Sequence, residues 1–253
     1  MELNYLAAPN NGDNVIFNSP LSTTKADHII TALNLKSDHK VVDIGCGEGE
    51  FLTRIQQQSD ADCLGVDVDS SCIESATKKA QQHDISNKLE FLLADVGDAK
   101  LKKDSFDLAV CIGSTHAFGE GEAAYENALK QMSDLLKPNG LILIGEGYWK
   151  QNPEQAYLDF LGDPAGIYNS HEQNIQQAES LGFIPMYAAT SNQDEWDHFE
   201  WCFRMKAEQG LIAAPGNEAA QEKVKRVREW NRYYRKFGRD TMGFGFYLYL
   251  KSS

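Results

Sequence analysis

Paired cysteines, long apolar runs and an excess of basic charge are all missing from this sequence, and each absence removes a class of function. The five cysteines (Cys46, Cys63, Cys72, Cys111 and Cys202) are scattered, odd in number and free of any C-x-x-C pair. A reduced compartment and no structural metal are therefore expected. No run of about 18 apolar residues is available to span a bilayer, and no basic-plus-apolar leader opens the chain. A cytoplasmic protein without a membrane partner is the expectation. Acidic residues outnumber basic ones 37 to 24, for a net charge of −13. That sign disfavours non-specific attraction to nucleic acid. The deficit is uneven: residues 221–239 carry eight Lys/Arg against Glu222 and Glu229. Such a segment reads either as a solvated helix face or as a source of arginines for an acidic small molecule. Internal repeats and low-complexity tracts are also absent.

What is present is organised around Val41-Val42-Asp43-Ile44-Gly45-Cys46-Gly47-Glu48-Gly49-Glu50-Phe51. The apolar run interrupted by one acid reads as a buried parallel strand. Three glycines at every second position force a tight turn, and Phe51, Leu52 and Ile55 follow at helical spacing. A strand, a glycine-rich turn and a helix make the first half of a nucleotide-binding βαβ unit. Glycine permits backbone angles closed to other residues and lets the main chain approach a ligand. The amides of the following helix N-terminus are then aimed at that ligand.

Strands are predicted at 40–44, 63–69, 89–94, 106–112, 141–144, 183–190 and 244–250, with helices between the first six. Ser22 or Thr23 is expected to cap a first helix, Ser71-x-x-Glu74 and Ser170-x-x-Gln173 to open later ones, and Lys137-Pro138-Asn139-Gly140 to end another. Alternation of this kind implies parallel strands, right-handed crossovers and helices on both faces. The 253 residues are read as one domain. Residues 1–36 form an N-terminal cap, 37–190 a core, 191–243 a helical lid insertion and 244–253 the last strand. Trp196, Phe199 and Phe203 recur at helical spacing inside the insertion.

The turn alone leaves the ligand open. The dinucleotide fingerprint G-x-G-x-x-G has its third glycine replaced here by Glu50. Asp67 ends the second strand 22 residues after Gly45, where a carboxylate can accept both ribose hydroxyls, yet dehydrogenases place an acid similarly. The stretch Asp43-Ile44-Gly45-Cys46-Gly47-Glu48-Gly49 resembles motif I of the class I S-adenosylmethionine-dependent methyltransferases. Asp95-Val96 after the third strand, Phe106-Asp107-Leu108-Ala109-Val110, and Leu135-Leu136-Lys137-Pro138-Asn139-Gly140 resemble further signals of that family, in the same order. Gly145-Glu146-Gly147-Tyr148-Trp149 resembles a Gly-Glu-x-Tyr-Trp feature of small-molecule members.

The resemblance implies a doubly wound, mostly parallel seven-stranded Rossmann-like α/β sheet with an antiparallel last strand. It implies S-adenosylmethionine as cofactor, held by Asp43, Gly45, Cys46, Gly47, Asp67, Val68, Asp95, Val96, Ile112 and Gly113. Asp95 would meet the adenine amine and the Val96 amide the ring. The acceptor would be a small molecule, bound near Asn18, Phe118, Tyr148 and Trp149. His116, leaving the fourth strand, is the candidate proton acceptor, and Glu146 a candidate base or ammonium anchor. A non-catalytic cofactor-binding protein and a nicotinamide-dependent oxidoreductase remain the alternatives.

Overall fold

A computed structural model describes residues 16–82, 85 and 87–252; the first fifteen residues of the expected N-terminal cap lie outside the described part. Apolar runs become strands because both sheet faces are covered. Helix α1 (Thr23–Leu33) leads into β1 (Lys40–Ile44), α2 (Glu50–Ser59), β2 (Asp62–Asp67), α3 (Ser70–Gln82), β3 (Leu89–Leu93) and β4 (Phe106–Ile112). Then come α4 (Ala124–Leu135), β5 (Leu136–Trp149), α5 (Gln155–Leu161), α6 (His171–Ser180) and β6 (Phe183–Thr190). The chain ends with α7 (Gln193–Ala213), α8 (Glu218–Tyr233) and β7 (Met242–Lys251). Among the described residues no helix is long and apolar enough to cross a membrane.

The sheet order is β3-β2-β1-β4-β5-β7-β6. The first five strands pair in parallel, and β7 runs antiparallel between β5 and β6. The expected sheet is therefore present, with its antiparallel last strand. Successive strand residues point to opposite faces, and the two cores divide accordingly. Val41, Leu108, Val110, Leu143 and Phe246 pack under α1 and α2. Val42, Ala109, Ile142, Ile144 and Tyr247 pack under α4 and α6. Leu52 and Leu129 are fully buried on the two sides, and truncating either to alanine costs about 2–5 kcal/mol.

Several local expectations change. Helix α3 opens one residue earlier than Ser71, because Asp69 accepts from the Ser71 amide (2.8 Å) and hydroxyl (2.7 Å). A carboxylate already at the turn displaces the Ser71/Glu74 capping box. The other expected caps form: Ser22 caps α1, and Ser170 with Gln173 makes a capping box on α6. Strand β5 is far longer than 141–144, extending to Trp149 because β7 pairs with it from Leu141↔Leu250 to Trp149↔Met242. Near the start of β5 Asn139 adopts φ 62°, the left-handed conformation that asparagine tolerates.

The carboxyl ends of β1, β2 and β4 open at one sheet edge, and α7 crosses above it. The roof is tied down at its start. Glu195 in the first turn of α7 pairs with Lys25 and accepts from Ser22 of α1. Phe17, ahead of α1, packs edge-on against Phe51 of α2 at 6.3 Å.

Candidate active site

The glycine-rich turn between β1 and α2 is held to β2 by the Gly45 and Cys46 amides, which donate to the Val66 carbonyl at 2.8 and 3.1 Å. Gly47 and Gly49 have φ of 53° and 71°. A Cβ built on Gly49 would sit 2.5 Å from the Phe91 ring, whereas one on Gly47 meets nothing within 4 Å. Gly47 thus faces open space, the cradle expected where backbone approaches a ligand. Asp67, at the end of β2, accepts from the Gly47 amide (2.8 Å) and the Asp69 amide (2.9 Å). The carboxylate fixes the turn and presents itself at the same edge.

A cavity of about 470 Å³ opens there, in the size range of cofactor sites. Its floor is Asp43, Gly45, Cys46, Gly47 and Asp67; Ile112, Gly113 and Ser114 of the β4 edge form one wall, with His116 beside them. Phe17 and Asn18 close the N-terminal side, and Cys202, Phe203, Lys206 and Gln209 of α7 form the roof. His116 is carried by a 3₁₀ turn, Thr115–Phe118.

Electrostatically the floor is acidic. Asp43 is buried, and burial first, then the Asp67 charge, push its carboxyl up to about 8. Burial, aided by Asp43 and Asp67, also drives the Cys46 thiol far up, and burial raises Cys202. Cys72, on another wall, is raised by burial and by Asp69. None of these thiols is shifted toward the thiolate form that a nucleophilic cysteine requires.

The remaining sequence candidates sit elsewhere. Val68 is exposed, and Asp95 and Val96 follow β3; all three stand at neighbouring strand ends outside the cavity lining. The Asp95 carboxylate accepts from the Gly97 amide at 2.8 Å. Phe118 is buried in the core beneath α4. Trp149 packs edge-on against Tyr157 and Tyr168, and its indole N–H donates to the Ala165 carbonyl at 2.7 Å. Tyr148 is half-buried and leans on the His171 ring at 5.4 Å. The aromatic pair at the end of β5 is engaged in packing because β5 continues as a paired strand through both residues.

Glu146 lies behind the cavity wall. Its carboxylate accepts from the Thr115 hydroxyl and, at 2.8 Å, from the Gly147 amide. Burial pushes it up to about 6, against the pull of those two donors. It therefore touches the turn that carries His116 and does not itself line the cavity.

The roof residues of α7 were missed by sequence reasoning. Their signal was the spacing 202, 203, 206 and 209, one stripe of a helix. It was hidden because α7 is aromatic on several sides: Trp196 is buried, while Trp201 is 46% exposed. The reading of 221–239 as arginines entering the pocket is overturned, since no residue of that segment lines the cavity. Arg228 instead donates twice to Glu208 (2.8 and 2.7 Å), and Arg239 grips Asp197.

Comparison with known proteins agrees with this architecture. A family model described as a methyltransferase domain matches residues 35–238. The chain belongs to the class I S-adenosylmethionine-dependent methyltransferases. It is similar to the uncharacterised protein YjhP of Escherichia coli, at 24% identity over 92% of each chain. It is 32% identical to a sterol 24-C-methyltransferase of Aspergillus fumigatus over 60% of its own length, and spans only 41% of that enzyme. Its fold matches a methyltransferase of Thiobacillus denitrificans crystallised with S-adenosyl-L-homocysteine, with a TM-score of 0.83, 22% identity and 94% of each chain covered. The open Gly47 cradle and the strand-end Asp67 fit such a cofactor.

Proposed function

We propose that this methyltransferase acts on a small-molecule acceptor held between the sheet edge and α7. The observation that carries the proposal is the single cavity shared by the Gly45–Gly47 turn, Asp67, His116 and the α7 roof. Gly45, Cys46, Gly47 and Asp67 would hold the cofactor, with Ile112 and Gly113 against it. Asp95 and Val96, at the next strand end, are assigned the adenine. The bound cofactor supplies a methyl group already activated on a sulfonium. The protein's part is then alignment and exclusion of water. Phe17 and Phe203 cover the cavity with apolar surface, and Asn18 offers a polar contact to the acceptor. His116 takes the proton of the acceptor's nucleophile, while Glu146 steadies the 3₁₀ turn through Thr115.

The test is transfer of label from methyl-labelled S-adenosylmethionine to a fractionated small-molecule extract, followed by mass spectrometry of the labelled product. One or more labelled small molecules are expected. With that acceptor, His116→Asn should lower turnover about 10²–10⁴-fold and leave cofactor affinity nearly unchanged. Tight cofactor binding with no labelled product in any fraction would instead support a non-catalytic binding protein.

A further inference from the structure

The α7–α8 hairpin ends in an exposed apolar turn. Residues 209–217, Gln-Gly-Leu-Ile-Ala-Ala-Pro-Gly-Asn, carry no charge. Ile212 is 79% exposed, more than any other large apolar side chain among the described residues. Ala213 and Pro215 beside it are exposed as well. The turn is ordered by its own hydrogen bonds. Asn217 accepts from the Ala220 amide at 3.0 Å, and the Gln221 side-chain amide donates to the Pro215 carbonyl at 2.8 Å. A single exposed aliphatic side chain is ordinary; what sets this one apart is the charge beside it. Ala219, Lys223, Arg226 and Trp230 recur on one acid-free stripe of α8. Glu218, Glu222 and Glu229 fall on the neighbouring stripe with Lys225. Lys223 and Arg226 are exposed and, among the described residues, in no ion pair. Arg228 and Arg239, by contrast, are tied to Glu208 and Asp197. Trp230 is half exposed.

We propose that this tip and the basic stripe behind it form a docking surface for an anionic lipid bilayer. Ile212 enters the boundary between headgroups and acyl chains, and Lys223 and Arg226 meet the lipid phosphates. An uncharged aliphatic tip, cations left without partners and a half-exposed tryptophan match the layers of such an interface. Duplex nucleic acid would engage the cations and leave Ile212 in water. A second copy docked about a two-fold axis would set the same cations against one another. The expectation of no membrane partner rests on the missing spanning run and on the net charge. Peripheral docking needs no spanning helix, and among the described residues there is none. It also responds to local charge, because salt confines each surface field to about 10 Å. The chain as a whole is −13, yet residues 221–239 carry eight Lys/Arg against two Glu. Gln209 belongs both to the cavity roof and to the tip, so docking seats the cavity beside the lipid. The surface does not depend on the identity of the acceptor.

Co-sedimentation of the full chain with vesicles tests this. Vesicles of equal parts phosphatidylglycerol and phosphatidylcholine should pellet the protein at low salt and release most of it at high salt. Vesicles of phosphatidylcholine alone should pellet little. Ile212→Ser should weaken binding to the anionic vesicles about tenfold, by loss of the inserted aliphatic group. Lys223→Gln combined with Arg226→Gln should weaken it about thirtyfold, the effect of two basic side chains near an anionic surface. Both variants should melt at the unmutated temperature and bind S-adenosylhomocysteine equally well, since none of the three positions lines the cavity. No pelleting with anionic vesicles at low salt overturns the proposal, as does pelleting that Ile212→Ser leaves unchanged. Equal affinity for phosphatidylcholine vesicles overturns the role of the basic stripe. Duplex DNA bound as tightly as the anionic vesicles, with Ile212→Ser without effect, would assign the stripe to nucleic acid. Light scattering from a dimer that Ile212→Ser returns to a monomer would assign the tip to a second copy instead.

Discussion

Each glycine of the turn after β1 answers a different neighbour. A Cβ on Gly45 would lie 2.3 Å from Ser114 Cβ, and one on Gly49 would enter the Phe91 ring, while Gly47 alone borders empty cavity. Gly45 therefore permits the approach of the β1 and β4 edges, and Gly47 leaves room for the ligand. Gly47→Val should keep the fold, with a backbone cost of about 1–2 kcal/mol for a branched residue at positive φ, and lose cofactor binding. Gly45→Val should instead lower the melting temperature sharply, since β1 and β4 must separate. Thermal melts and calorimetry with S-adenosylhomocysteine check both; normal binding by Gly47→Val would place the cofactor away from the turn. The motif made the three glycines look alike. Their roles depend on Ser114 and Phe91, which are distant in sequence and become neighbours only when β2, β3 and β4 are ordered beside β1. Asp43 was legible as a motif acid from its spacing before the glycines, whereas its burial appears only in the folded edge.

At the scale of elements, α7 and α8 form a hairpin whose interior contains an acid. Glu200 is 6% exposed and accepts from the Trp230 indole N–H at 2.9 Å. Burial pushes its carboxyl up to about 7, from an ordinary value of 4.5. A folded state with the higher value binds the extra proton, so this contribution to stability is full below about pH 4.5. It is lost as pH rises through about 7. Hydrogen exchange over 193–233, corrected for intrinsic rates, should show protection falling roughly tenfold between pH 5 and 7.5 relative to β4. Glu200→Gln keeps an oxygen for Trp230 and should flatten that slope; an unchanged slope would assign the pH dependence to another group. This hairpin was the least legible part of the chain. Apolar runs marked β1, β2 and β4 because parallel strands are buried on both faces. The helical spacing of Trp196, Phe199 and Phe203 showed that a helix was present, but not which side faced the cavity, because aromatics occur around its circumference. The extent of β5 was hidden similarly. Nothing local in Gly145–Trp149 signals a strand, and it is β7, about a hundred residues later, that pairs with it.

For the whole molecule, the cavity joins parts that otherwise meet only through the sheet: the turn after β1, the end of β2, the β4 edge and the α7 roof. A ligand bound there contacts all of them and none of them in the unfolded chain, so its binding free energy adds to global stability. At a concentration about 100 times its dissociation constant, S-adenosylhomocysteine should stabilise the protein by ~2.7 kcal/mol. For a chain of this size that is a rise in melting temperature of about 5–11 °C. NAD should produce no rise. Glu50 occupies the place of the third glycine of the dinucleotide fingerprint, and Asp43, Glu48, Glu50, Asp67 and Asp69 line the cavity against Lys206. A diphosphate entering there would meet carboxylates where a dinucleotide site presents amides and a helix N-terminus. The cofactor of a methyltransferase carries no phosphate and brings positive charge, which suits the same surface. Parallel thermal melts with the two ligands decide the matter. A shift with NAD and none with S-adenosylhomocysteine would mean that the acidic floor is compensated in solution, and that the glycine-rich turn serves a dinucleotide after all.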